Sequence, residues 1–190
     1  VLAQNTQLAQ VVACVDLQPE MLLQAQQDVG IDAALCYTSL EAALTETGAT
    51  ADAVLVTTPI GAHAPVALEA LGADKHVLVE KPFAASLDGA RQVVATASAL
   101  GKVLMVSQNY RFYPAAQAAA ALVRGGSLGP VTGASVQFRR YANLQPRAGH
   151  RHYHIRQPLL MDMAIHHFDL MRFVLGQEPA AVSCTAWNPP

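Results

Sequence analysis

The chain has 190 residues, 52% of them hydrophobic and 14% charged, with a formal net charge of −2. That balance provides enough apolar surface for a core and excludes disorder, and it leaves no basic face of the kind nucleic acid recruits. No apolar run reaches the ~18 residues of a membrane-spanning helix, and Cys14, Cys36 and Cys184 form no Cys-x-x-Cys pair, so they read as reduced core thiols of a cytoplasmic protein.

The first ten residues are neither a signal nor a transit peptide, and residues 1–9 read as the tail of a helix. An apolar run at 11–15 predicts a strand covered on both faces, ending in Asp16. Pro19 opens a helix over 19–29 and Gly30 stops it. A short strand at 35–37 follows, then a helix over 40–47 capped by Ser39 and ended by Gly48. Residues 53–57 form the next strand. Thr58-Pro59 breaks it before a helix at 62–71. A strand at 77–79 ends in Glu80-Lys81-Pro82, and a helix at 86–100 leads to a strand at 103–107.

Strands and helices alternate with short connections. This predicts an α/β fold, a Rossmann-type parallel sheet with helices on both faces, because each parallel pair needs a crossover. After residue 110 the rhythm changes. An Ala-rich helix at 114–123 closes on Gly125-Gly126, a strand with one wet face covers 131–141, and 142–157 is a polar, basic loop. An apolar helix at 159–175 ends at Gly176, and 181–187 is a last strand. The expected division is therefore 1–109 for the parallel-sheet domain and 110–190 for part of a second, α+β domain.

Ligands of open parallel sheets sit at the carboxyl ends of the strands. Asp16, Thr57, Thr58, Glu80, Lys81 and Asn109 fall there. A carboxylate at Asp16 suits the ribose hydroxyls of NAD and repels the extra phosphate of NADP; it reads equally as a turn Asp before a helix. The hydroxyls of Thr57 and Thr58 suit a ribose or phosphate, although Thr58 with Pro59 reads better as a helix cap. His63 stays open between the two kinds of role. Lys81 stands at a strand mouth, where an ammonium stabilises a developing alkoxide, and by spacing alone a solvated Lys before a turn proline is the simpler account. Pro82 is a candidate cis residue.

On a regular helix Asp162, His166 and Asp169 fall within about 60° of one another. Their neighbours Leu160, Met161, Ile165, Phe168, Leu170, Met171 and Phe173 are apolar. Such a stripe costs desolvation energy unless paired or functional, and it reads either as a satisfied core pair or as a site. Oxidising a carbinol requires loss of a hydroxyl proton as well as a hydride. Histidine has the right intrinsic pKa for that base, with Asp162 to orient it and Lys81 to hold the oxygen.

Val-Leu-Val-Glu-Lys-Pro at 77–82, Asn109-Tyr110-Arg111-Phe112 with Pro114, and Asp162-x-x-x-His166-x-x-Asp169 before Gly176 resemble the Gfo/Idh/MocA oxidoreductases over essentially the whole chain. The resemblance implies a nicotinamide-dependent dehydrogenase acting on a hydroxyl or carbonyl of a sugar, polyol or related molecule, with NAD preferred to NADP. It implies Lys81, Asp162 and His166 as catalytic residues that also contact substrate, and Arg111 as a further substrate contact. Asp16, Thr57, Thr58, Pro59, His63, Glu80, Lys81 and Asn109 are then the cofactor residues. It also implies a small-molecule substrate, homo-oligomers at full length, neither membrane nor nucleic acid as partner, and a chain cut at both ends. The first strand with its glycine-rich loop and the rest of the second sheet would then lie outside the chain. The family's Gly-Gly pair before the catalytic Asp is replaced here by Ile155-Arg156-Gln157-Pro158-Leu159. Two alternatives remain: a hydrolase or lyase of the same fold using NAD transiently, and a metal-dependent hydrolase using His150, His152, His154, His166, His167 and Asp162. The metal alternative has no standard zinc spacing, and no metal is expected. Arg139, Arg140, Arg147 and Arg151 hint at an anionic or hydroxylated ligand, or simply face water.

Overall fold

Turn and cap chemistry sets most of the element boundaries in the computed structural model, which describes residues 7–48, 50–139 and 159–185. The chain divides into two compact units, 1–107 and 108–190. In the first, α1 spans Pro19–Val29 with Pro19 at its first turn, and Gly30 closes it in the left-handed region at φ 73°. Gly30 adopts that conformation without the steric cost a Cβ would bring. Ser39 caps α2 (Leu40–Thr47) by accepting from the Ala42 N–H, and Ser86 caps α4 (Leu87–Ala99) by accepting from the Gly89 N–H. Each satisfies a donor that the first helical turn leaves open.

The strands are short and parallel. β1 (Cys14–Val15) pairs with β2 (Cys36–Tyr37), Cys14 opposite Cys36. β3 (Ala53–Val56), β4 (His76–Val79) and β5 (Leu104–Val106) form a second sheet in the order β3-β4-β5. The strand expected at 11–15 is thus only two residues long. Residues 11–13 are apolar enough, but a strand exists only where its backbone finds a partner, and β1 has β2 alone among the described residues.

α3 (Ile60–Gly72) and α4 pack on one face of the three-stranded sheet. Val56, Val77 and Val79 meet Ala67, Ala70, Leu71, Val93 and Ala97 there, all essentially buried. Burying one such Val or Leu side chain contributes about 1.5–3 kcal/mol. At the alternate strand positions Leu55 and Met105 remain exposed. Helices therefore cover one face of this sheet among the described residues, whereas the continuous apolar runs predict both.

In the second unit, a 3₁₀ turn (Asn109–Phe112) leads into α5 (Pro114–Arg124), which packs against α6 (Ile165–Leu175). The single helix expected at 159–175 is interrupted: Leu159–Ala164 is π-helical, with α geometry only from Ile165. The strands expected at 131–141 and 181–187 are not formed in their described parts, 131–139 and 181–185. Those stretches are exposed throughout, so the alternation there has no sheet to join. The basic loop at 142–157, the first six residues and the segment replacing the Gly-Gly pair lie outside the described residues, Leu159 apart.

Candidate active site

In the first unit the candidate residues stand at strand ends. Asp16 follows β1. Its backbone N–H donates to the Tyr37 carbonyl at 3.2 Å, and its carboxylate Oδ1 accepts from the Gln18 N–H at 2.8 Å. The carboxylate therefore shapes the turn into α1. Asp16 is half-buried. Thr57, Thr58 and Pro59 follow β3 and are exposed. The cap expected from the Thr58 hydroxyl is absent: Pro59 itself occupies the N-cap position of α3, with no side-chain cap bond. The turn has put Thr58 one residue too early to reach the helix amides.

Lys81 follows β4, the central strand of its sheet. Its surroundings fix its backbone closely. The Glu80 N–H donates to Val56 O at 2.9 Å, and the Ser107 N–H donates to Val79 O at 2.9 Å. The Lys81 N–H donates to Glu80 Oε2 at 3.1 Å, and the Lys81–Pro82 peptide is cis. Both Lys81 and Glu80 are half-buried.

His63 is 2% exposed, on the buried side of α3. Its Nδ1 lies 2.8 Å from the Pro82 carbonyl and its Nε2 2.7 Å from the Thr58 carbonyl. Both ring nitrogens are engaged inside the unit, beneath the two loops rather than at their surface.

The second unit holds the other residues. His166 is 5% exposed and Asp169 7%. The Tyr110 ring stacks on the His166 imidazole at 4.2 Å between centroids, with planes 12° apart. Tyr110 also stacks on Tyr113 and meets the edge of His167, which leans on Phe138. Asp162 lies in the π-helical segment, half-buried. There each backbone bond spans five residues, so the regular-helix angle between Asp162 and His166 does not hold across the junction. Asn109 is exposed.

Arg111 grips Asp169 with both ends of its guanidinium: Nε donates to Oδ2 at 2.9 Å and a terminal nitrogen donates to Oδ1. The same guanidinium lies 5.5 Å from the centre of the Phe173 ring. The hydrogen bond to Asp169 holds the Arg111 pKa above its usual value, and burial opposes it. Arg111, expected at the substrate, thus spends its two-pronged face on a nearly buried carboxylate. The Asp169 of the expected polar stripe is the partner.

The stacking of Tyr110 on His166 is not legible in the sequence. No spacing rule connects a 3₁₀ turn to a helix more than fifty residues later. Of the three cysteines expected in the core, Cys14 and Cys36 are half-buried and Cys184 is exposed; burial, with help from Cys36 and Asp16, pushes the Cys14 thiol pKa up. His150, His152, His154, Arg140, Arg147 and Arg151 lie outside the described residues. No helix among the described residues is long and apolar enough to cross a membrane.

NAD suits what is present at the strand ends: a carboxylate at Asp16, two exposed hydroxyls at Thr57 and Thr58, and a lysine at the mouth of β4. The sequence contains no Gly-x-Gly to cradle a pyrophosphate.

Residues 1–108 match the family described as "Oxidoreductase family, NAD-binding Rossmann fold". Residues 116–189 match the "GFO/IDH/MocA C-terminal domain". The chain is 33% identical to an inositol 2-dehydrogenase of Rhizobium meliloti, over 74% of this chain and 42% of that protein. It is 30% identical to a D-apiose dehydrogenase of Paraburkholderia graminis, over 94% of this chain and 46% of that protein. Among solved structures, the WlbA dehydrogenase of Bordetella pertussis in complex with NADH and UDP-GlcNAcA superposes with a TM-score of 0.61 at 29% identity, covering 67% of this chain and 36% of that one. The chain thus spans less than half the length of these curated relatives.

Proposed function

Because the chain belongs to the Gfo/Idh/MocA oxidoreductase family, we propose that the protein carrying it transfers a hydride between NAD and a carbinol or carbonyl carbon of a sugar or polyol. One observation carries the reading: Lys81 stands at the carboxyl end of the central parallel strand, β4, where open sheets of this kind receive their ligands.

Residues 1–109 act as the cofactor-binding domain and 110–190 as part of the substrate domain. Bound NAD supplies the hydride acceptor. Asp16 accepts hydrogen bonds from the adenosine ribose and disfavours a phosphate there, so NAD is preferred to NADP. Thr57, Thr58 and Pro59 line the cofactor's path, with Glu80 and Asn109 beside it. His166 removes the proton of the substrate hydroxyl, Asp162 holds the imidazole in orientation, and the Lys81 ammonium stabilises negative charge growing on that oxygen. The substrate class rests on the relatives, which include inositol and apiose dehydrogenases. The protein is expected to form homo-oligomers, and its three free thiols suit the reducing cytoplasm.

The test is spectrophotometric. The protein carrying this sequence, given NAD and a panel of inositols, aldoses and alditols, is expected to form NADH with at least one of them and more slowly with NADP. Lys81→Ala should remove that activity. Turnover undiminished in Lys81→Ala, or no turnover by the wild type with any polyol or sugar, contradicts the reading.

A further inference from the structure

We infer that His63 is a positioning residue: it ties the loop after β3 to the loop after β4 and so sets where Lys81 stands. The inference rests on the reading of Lys81 as the residue that meets the substrate oxygen.

The position would accept an apolar side chain. The other buried residues of α3, Ala67, Ala70 and Leu71, belong to the apolar core that this helix shares with the valines of β3 and β4, and His63 is 2% exposed on the same helix. Placing an imidazole in such a core costs free energy unless its nitrogens are bonded. Here each nitrogen lies within hydrogen-bond distance of a carbonyl oxygen, and the two oxygens are a telling pair. Thr58 O belongs to the loop that follows β3, and Pro82 O to the residue directly after Lys81. One rigid ring therefore spans two strand-end loops that no backbone hydrogen bond connects at those residues.

Lys81 is held from both sides as a result. On its N-terminal side, Glu80 and Val79 are fixed by bonds to β3 and to the residue after β5. On its C-terminal side, the strut from α3 holds the Pro82 carbonyl. A catalytic side chain needs its backbone placed to a fraction of an ångström, because small misplacements cost large factors in rate. Sheet bonding supplies half of that placement here, and His63 supplies the other half.

Both facing groups are carbonyl oxygens, which only accept, so a ring with one N–H bonds one of them and packs against the other, and it bonds both at once only when each nitrogen carries a proton. A glutamine amide carries two N–H groups and can serve both carbonyls; a leucine of similar bulk serves neither. This makes His63→Gln the conservative variant and His63→Leu the disruptive one.

The chain contains three lysines, Lys75, Lys81 and Lys102. In the protein carrying this sequence, reductive ¹³C-methylation labels these three among its lysines, and Lys75→Arg, Lys81→Arg and Lys102→Arg assign their signals. Lys75 donates to Gly48 O and Lys102 pairs with Asp74, so these two report on the rest of the unit. In His63→Leu the Lys81 methyl signal should shift while the other two stay. In His63→Gln it should return toward the wild-type position. A Lys81 signal unmoved in folded His63→Leu, or moved equally by Leu and Gln, overturns the inference. If His63→Leu does not fold, the wild type decides: ring N–H signals of His63 should exchange slowly with solvent, and fast exchange overturns the bridge. None of these measurements needs turnover. An activity that survives Lys81→Ala would count against the proposed reaction while leaving the strut standing.

Discussion

At the scale of single residues, two buried polar groups stand out, one in each unit, and each meets at least one partner outside its own helix. The ring nitrogens of His63 lie 2.7 and 2.8 Å from the carbonyl oxygens of Thr58 and Pro82. Asp169 is gripped by Arg111 from 58 residues away. Removing Arg111 leaves a carboxylate that is only 7% exposed with its main partner gone. The guanidinium itself is partly in water, which moderates the cost. Arg111→Ala is expected to lower stability by about 2 kcal/mol; equilibrium urea unfolding checks this, and an unchanged midpoint would mean that Asp169 finds solvent instead. The chemistry at these positions was only partly legible beforehand. Lys81, Asp162 and His166 stand out because a polar residue at a strand mouth, or on an otherwise apolar helix, needs a reason. The roles of His63, Arg111 and Tyr110 do not stand out. Each depends on which distant atom the fold brings near, and residue type and local spacing carry no trace of that.

At the scale of elements, local rules succeed where local chemistry decides. Pro19 with Gly30 brackets α1, and Ser39 with Gly48 brackets α2, as the sequence predicts. Gly30 closes α1 at φ 73° with no atom within 4 Å of a built Cβ, so the strain of a side chain there is conformational and not a clash. Gly30→Ala should accordingly cost about 1 kcal/mol, read as a lowered melting temperature with an unchanged circular dichroism spectrum; equal stability would show that the turn relaxes out of the left-handed region. Local rules fail where an element depends on something outside itself. The alternating stretches at 131–139 and 181–185 are not strands among the described residues, because alternation states a preference and hydrogen-bonded partners make a sheet. The π-helical turn at Leu159–Ala164 was likewise invisible, since its composition differs little from an α-helix. Such interruptions recur at functional sites, and this one carries Asp162.

At the scale of the whole molecule, the chain presents two units, and the proposed reaction draws on both. The parallel-sheet unit offers Asp16, Thr57, Thr58 and Lys81 at strand ends, and the helical unit offers Asp162 and His166. The alternation of strands and helices made the first unit's class readable from sequence. The family match over residues 1–108 and 116–189 accounts for both units. Cofactor affinity and proton removal are assigned to different units, which makes them separable by mutation. The most direct test is His166→Ala in the protein carrying this sequence, with NADH affinity measured by fluorescence beside turnover of a polyol substrate. The account predicts an NADH dissociation constant nearly unchanged and turnover lowered about 10²- to 10⁴-fold, the usual worth of a general base. Normal turnover in that variant would contradict it.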